Sequence, residues 1–465
     1  MAKNKDLNFR IKDIKYPEPV LKLKKALLNF KHQGIGLWII MMQEANLHFN
    51  YKKESGNIFT RFLKIIRYLF FQNKSKIIGA GKNKILIVYT LPRKAYHNLI
   101  KEFLKDFKEK ELITIDEYYL KQKNIIKRIK FRFPDFRLIF KIYKFFKENS
   151  LYPLIKSRSI FFTAQTYYKC KQIEYCEEII KKYNPKAYIS ISSSFGEEAI
   201  FMQLFHKYKK PTFHTQHGLY AGDNKFSSTT CGLESLITDY ILTWGEKSSE
   251  FFKKFTDSRK ILLVGNPEHK KLINKSKKFE PKKGTVFLTG DEEKKSNFEL
   301  IKIVNKLSKK YPEIKFYFKL HPTTKNITFY KKKIQIKNSD IIVGKIIPKS
   351  LLDQSDFVIT QFSSVYLEAL KYQIPIFRYK VKFENVANEN NWFFGEGGNT
   401  FENSEDLQEL FKNMFNFKKY MNCLRENKKM HNRYFYQPKN MTIPKYYKKV
   451  INEKIGEYYK NLSKK

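Results

Sequence analysis

"AYISISSSFGEEAIFMQLFHKYKKPTFHTQHG", residues 187 to 218, decides the fold class of this chain. It opens on "AYISIS" (187–192), a short β-prone apolar run. It passes through the helical "GEEAIFMQLFHKYK" and closes on "PTFHTQ", a second short strand that ends ahead of Gly218. Strand, helix and strand in one stretch make a βαβ unit, whose strands lie parallel and whose crossover is right-handed.

Outward from that unit the pattern continues. Upstream, "KILIVYT" (84–90) is a buried strand stopped before Pro92 and followed by the helical "AYHNLIKEFLKDFKEK". The basic, aromatic stretch 121–169 reads as helical without clean boundaries, and "CEEIIKKYNP" as a helix. Downstream come the strands "DYILTWG" (239–245) and "KILLVGNP" (260–267). After the Lys- and Pro-containing "KSKKFEPKK" (275–283) a second series begins with "TVFLTG". Its helix keeps Leu300, Val304, Leu307 and Tyr311 on one face, and "IKFYFKLHP" turns Phe316, Phe318 and Leu320 inward. "DFVIT" (356–360), "SSVYLEALKYQ" and "IPIFRYK" complete it. The expectation is α/β, with two Rossmann-like domains. The expected boundaries are a helical N-terminal extension at 1–75, a first domain at 76–275, a second at 276–440 and a carboxyl-terminal helix at 441–465.

Aromatic content, 42 Phe and 30 Tyr, argues against a disordered chain. Lys and Arg number 91 against 45 Asp and Glu, so the net charge of +46 favours anionic partners. The basic residues are spread along the whole chain and no zinc finger, helix-turn-helix or RNP motif appears, which argues against specific nucleic-acid binding. Cys170, Cys176, Cys231 and Cys423 show neither CxxC nor metal spacing, as in a reducing cytoplasm. "MAKNKDLNFRIKDIKYPEP" lacks the apolar centre of a signal peptide. "GIGLWIIMMQ" falls short of the ~20 residues of a membrane span. In "FTRFLKIIRYLFFQ" (59–72) apolar residues recur at helical spacing with Arg61, Lys64 and Arg67 between them. Two readings are open: a helix packed on its own domain, or a basic amphipathic segment resting on an anionic membrane.

Ligands of open α/β sheets sit beyond the carboxyl ends of the strands. Four segments fall there. In "KLHP", Lys319, His321 and Pro322 lie at a strand end, where a His donates readily to a phosphate oxygen. In "TQFSSVYLEAL", Ser363 and Ser364 stand where a helix begins, either as an ordinary N-cap or as an anion site, and Glu368 lies about one turn further, within reach of ribose hydroxyls. In "HTQHGLYAGDN", Gln216, His217 and Gly218 form the turn after the strand and Asp223 follows. His217 is a candidate general base. Glu197 and Glu198 stand at a similar strand-to-helix turn, where carboxylates also suit the helix dipole. "GEGGN" (395–399) is a Gly-rich loop suited to closing over a ligand.

In order, "QHG" (216–218), "GNP" (265–267), "KLHP" (319–322) and "SSVYLEAL" (363–370) resemble the capsule-polysaccharide group of bacterial GT-B glycosyltransferases. That group includes bacterial sialyl- and polysialyltransferases, capsular Kdo transferases and the CDP-glycerol glycerophosphotransferases. The resemblance implies a donor-binding C-terminal domain, an acceptor-binding N-terminal domain, a cleft between them and no bound metal. It implies that His321, Ser363 and Ser364 hold the nucleotide's phosphates. The acidic-acidic-Gly motif that supplies the base in the sialyltransferases is missing, which leaves His217, Asp223, Glu197 and Glu198 as alternatives. The expected function is transfer of a sugar from a nucleotide-activated donor, with no other cofactor, to a glycan or lipid-linked glycan acceptor at the inner face of the cell membrane. A polyol-phosphate transferase, an inert scaffold and a nucleic-acid-binding protein are the alternatives.

Overall fold

The computed structural model describes residues 16–42, 45, 58–73, 76–79, 81–89, 94–116, 129–151, 159–191, 196–218, 232, 236–268, 272–273, 278–291, 294–322, 324–344, 348–361, 365–380 and 399–464. The chain is α/β and divides into two compact units. The first comprises residues 1–244, 248–268 and 437–465, the second residues 245–247 and 269–436.

The first unit is built on a seven-stranded sheet. Its strands are β1 (Lys76–Ile78), β2 (Ile85–Tyr89), β3 (Leu112–Asp116), β4 (Ala187–Ser190), β5 (Thr212–Thr215), β6 (Tyr240–Thr243) and β7 (Ile261–Leu263), in the order β7-β6-β5-β4-β2-β3-β1. Every pairing is parallel except that of β1 with β3. Ile189 stands opposite Ile87 on one side and Phe213 on the other. The side chains of β2 alternate between two cores. Leu86 and Val88 join Leu23, Leu27, Trp38 and Met41 of the helical N-terminal extension. Ile85 and Ile87 join Tyr447 and Ile451 of the helix Ile443–Leu462. A sheet with both faces covered needs strands that are apolar throughout, and "ILIVY" is such a strand.

Helices α1 (Ile58–Phe70), α2 (Phe136–Glu148), α3 (Ser159–Tyr183) and α4 (Gly196–Lys207) belong to this unit. The stretch that reads as boundary-free helix resolves into α2, α3 and a strand Ile129–Phe131, which pairs antiparallel with Phe71–Asn73. The expected "CEEIIKKYNP" helix is the last part of α3. Nothing in residues 159–183 breaks a helix, and residues around its whole circumference are buried, so no stripe marks it off in the sequence.

The second unit carries a six-stranded, wholly parallel sheet of β8 (Lys283–Phe287), β9 (Lys315–Lys319), β10 (Ser339–Ile342), β11 (Phe357–Thr360), β12 (Ile376–Tyr379) and β13 (Asn399–Phe401). The order is β10-β9-β8-β11-β12-β13. Counted from β8, that is 3-2-1-4-5-6, the doubly wound arrangement of dinucleotide-binding sheets. As expected from spacing, Leu300, Val304 and Leu307 of α5 (Lys294–Lys310) are buried against Phe316, Phe318 and Leu320. Phe411, from the helix Ser404–Met414, closes the core with its ring 5.0 Å from Phe357 and 5.6 Å from Phe377. Gly284 lets β8 and β11 approach closely, since a Cβ there would fall 2.1 Å from the Phe357 ring.

Candidate functional site

Each sheet has a switch point, where the chain leaves one strand and returns on its other side, and ligands gather at the carboxyl edge there. In the first unit the switch lies between β2 and β4. In the second it lies between β8 and β11.

At the first switch, the turn after β5 is fixed from within. Gln216 is wholly buried; its Nε2 donates to the Gly218 carbonyl at 2.9 Å and its Oε1 accepts from the Trp244 N–H at 2.8 Å. Its side chain therefore shapes the turn and ties it to the end of β6. His217, half-buried beyond it, presents its ring edge-on to Tyr96, with centroids 5.0 Å apart, on the helix Lys94–Leu104 that follows β2. His214 lies 6.2 Å from His217, ring to ring, and is fully buried. Burial, aided by repulsion from His217, pushes the His214 pKa down to about 3 and keeps it neutral. The two candidate glutamates are also accounted for by structure. Glu198 accepts from the Ser190 hydroxyl at 2.7 Å and the Ile191 N–H at 2.9 Å, pinning the end of β4, while Glu197 accepts from the Gln172 amide. Asp223 lies outside the described residues.

The "GNP" segment follows β7. Gly265 has φ +92°, in the left-handed region that favours glycine, and its carbonyl accepts from the Tyr447 hydroxyl at 3.0 Å. Asn266 accepts from the Glu268 N–H at 2.9 Å and so closes a local turn.

At the second switch, the described edge is densely bonded through side-chain amides. Asn297, on the first turns of α5, is wholly buried. Its Oδ1 accepts from the Thr289 N–H at 3.0 Å, the Thr289 hydroxyl at 3.1 Å and the Gln361 amide at 2.8 Å. Its Nδ2 donates to the Thr289 carbonyl at 3.0 Å and the Tyr330 oxygen at 3.1 Å. Gln361, wholly buried directly after β11, accepts from the Ser296 hydroxyl. Asp291, in the loop after β8, takes the Tyr330 hydroxyl at 3.2 Å and the Lys325 N–H at 2.8 Å. The loops after β8 and β11 are thus held to each other by side-chain amides. Asn297 and Gln361 are absent from the sequence-derived candidates; the available signal was, for Gln361, an amide immediately after an apolar strand.

His321 and Pro322 are exposed at the end of β9, beside β8, and the His321 carbonyl accepts from the Thr324 N–H at 3.0 Å. Lys319 is buried. Its ammonium donates to the carbonyls of Leu320, at 2.6 Å, and Gly344, at 2.9 Å, and burial lowers its pKa. It therefore clamps the end of β9 to the loop after β10. Glu368 lies on α6 (Val365–Leu370), the helix after β11, and burial raises the pKa of its carboxyl against the opposing pull of Lys371. Ser363, Ser364 and residues 395–398 of "GEGGN" lie outside the described residues. The topology thus brings His321, Pro322 and Glu368 to one edge of the second sheet, and His217, Gln216, Gly218 and Glu197 to one edge of the first.

No protein-family description and no curated protein matches the sequence. Solved structures similar to the chain include S. aureus MnaA with UDP, at 14% identity over 82% of this chain and 97% of that one, with a TM-score of 0.48. Another is the UDP-GlcNAc 2-epimerase of Neisseria meningitidis bound to UDP-GlcNAc, at 12% identity over 80% of this chain and 100% of that one, with a TM-score of 0.44. The pneumococcal O-GlcNAc transferase GtfA with UDP and GlcNAc is similar at 12% identity over 63% of this chain and 60% of that one, with a TM-score of 0.40.

Proposed function

We propose that this chain is a glycosyltransferase of GT-B type that moves a sugar from a nucleotide-activated donor to a cell-surface polysaccharide acceptor. The observation that carries the reading is the second sheet. Its strand order is that of dinucleotide-binding sheets, and at its carboxyl edge stands an exposed His321, on the strand next to the one whose following loop Asn297 and Gln361 bond. A pyrophosphate needs hydrogen-bond donors at a strand end and few competing carboxylates.

In this reading His321, Ser363 and Ser364 bind the donor's phosphates and stabilise the charge that develops on the departing nucleotide, so that no bound metal is required. Glu368 takes the ribose hydroxyls. Lys319 acts from below, as a positioning residue for the loop that carries His321. The acceptor binds the first unit, where His217 removes the proton from the attacking hydroxyl. His214 beside it is neutral and adds no positive charge there. The motif resemblance supports the capsule-type acceptor, and the basic surplus with the amphipathic segment 59–72 supports a peripheral position at the inner membrane face.

The test is a thermal-shift series with CMP, CDP, UDP, GDP and dTDP, run on the wild type and on His321→Ala, with and without a chelator. A ligand that binds only the folded state raises Tm. One nucleotide is expected to raise the wild-type Tm, the variant to lose that rise, and the chelator to change neither. A chain that responds to none of them is not a nucleotide-dependent transferase. With the nucleotide known, turnover of the nucleotide sugar against that of a CDP-polyol separates glycosyl from polyol-phosphate transfer.

A further inference from the structure

The first unit exposes apolar side chains on α1, on α2 and on the two-stranded ribbon between them. On α1 the inward residues are accounted for: Leu69 packs on the core, and the Tyr68 ring lies 5.7 Å from Phe161 and 5.2 Å from Tyr168 of α3. Phe59, Phe62 and Leu63 of the same helix are 63%, 57% and 48% exposed. Helix α2 repeats this arrangement. Leu138, Ile142 and Phe146 are buried, whereas Phe136, Phe140 and Tyr143, at spacings of four and three, form an aromatic stripe in solvent. The two-stranded ribbon joins the end of α1 to the start of α2. Across it the Phe131 ring lies 6.0 Å from Phe70 and 5.4 Å from Phe133, which is 83% exposed. Exposed apolar side chains thus stand on both helices and on the ribbon that joins them, and exposed apolar surface of this kind marks an interaction surface.

The flanks of the patch identify the partner. Lys64 and Arg67 are exposed on α1, and Arg137, Lys141 and Lys144 on α2. Residues 58–73 contain no acid. Asp135, ahead of α2, is spent on capping that helix through the Leu138 N–H at 3.0 Å, and lies 3.8 Å from Lys171. Among the described residues no helix is long and apolar enough to cross a membrane. We infer that this face of the first unit docks flat on an anionic lipid bilayer, with the aromatic stripes in the headgroup–acyl boundary and the basic flanks on the lipid phosphates. A cationic flank beside exposed apolar side chains complements that surface. Nucleic acid would engage the flank but leave the stripe in water. The inference extends the segment 59–72 to a composite surface with α2 and the ribbon, and it stands independently of any nucleotide chemistry.

The experiment is vesicle flotation of the full chain with phosphatidylcholine alone and with equimolar phosphatidylcholine and phosphatidylglycerol. Two variants accompany the wild type: Phe133→Ser/Phe136→Ser/Phe140→Ser and Arg137→Glu/Lys141→Glu/Lys144→Glu. The wild type is expected to float with the mixed vesicles and weakly or not at all with phosphatidylcholine. Each variant should lose about tenfold or more in partitioning. Because these positions are exposed, Tm should stay within about 2 °C of wild type. The inference is overturned if the wild type stays in solution with both vesicles, or if the aromatic variant floats as well as wild type, which would reduce the effect to bulk charge. It is equally overturned if light scattering finds a dimer that the aromatic variant dissociates while vesicles bind neither protein.

Discussion

The two switch points differ in what lies beneath them. Under the first, buried Glu198 pins the end of β4, and fully buried, neutral His214 lies 6.2 Å from His217, ring to ring. Under the second, neutral side-chain amides do the same work, with Asn297 and Gln361 bonded to each other and to the loops after β8 and β11. A floor of carboxylate and imidazole suits a ligand that gives up a proton. A floor of neutral amides imposes no net charge on an incoming anion. The contrast bears on the division of acceptor and donor roles proposed for the two units.

The sharpest way to break the contrast is Asn297→Ala. It removes the acceptor shared by Thr289 and Gln361 and leaves buried polar groups unmatched, so a loss of about 2–4 kcal/mol is expected, read by thermal or urea denaturation. Glu198→Gln comes next. It keeps the shape but weakens the acceptor for Ser190 and Ile191, at about 1–3 kcal/mol, and nucleotide binding by the second unit should be unchanged. If Glu198→Gln instead abolished nucleotide binding, the division of roles would fall.

His214→Leu tests the neutral histidine through pH. The folded pKa of about 3 lies below the ordinary value of 6.5, so between these values the unfolded chain binds more protons. The contribution of His214 is therefore fully present above pH 6.5 and is lost as pH falls toward 3, with a limiting slope of about 1.4 kcal/mol per pH unit. The leucine variant should show a shallower acid limb than wild type, and identical limbs would refute the assignment. The smallest stability effect belongs to His321→Ala. An exposed side chain at a strand end should cost less than about 0.5 kcal/mol, whatever it does to nucleotide affinity. A large Tm drop without ligand would make His321 a structural residue.

Much of this architecture is legible in one dimension because burial on both faces of a parallel sheet demands apolar runs. "ILIVY", "AYIS" and "FVIT" meet that demand, and Gly or Pro stands near several strand ends. The motif residues follow from the same logic, since loops after strands are where ligands gather. What stayed hidden had no periodic signature. Helix α3 has buried residues around its circumference and so shows no stripe, the strands β1 and β13 have only three residues each, and β10, "SDII", is only partly buried and lacks an apolar run. The pairing of Asn297 with Gln361 joins positions sixty-four residues apart that only the adjacency of β8 and β11 brings together.

The sequence by itself determined the α/β class, two series of strands and helices, and the places where loops meet helix starts, because each depends on local period and turn chemistry. Only the tertiary structure decided that Gln216, Glu197, Glu198 and Lys319 spend their polar groups on internal hydrogen bonds. It alone decided that the carboxyl-terminal helix covers the first sheet, and that Phe133, Phe136 and Phe140 face solvent. Which side of a residue is covered is a property of its neighbours in space, and those neighbours come from distant parts of the chain.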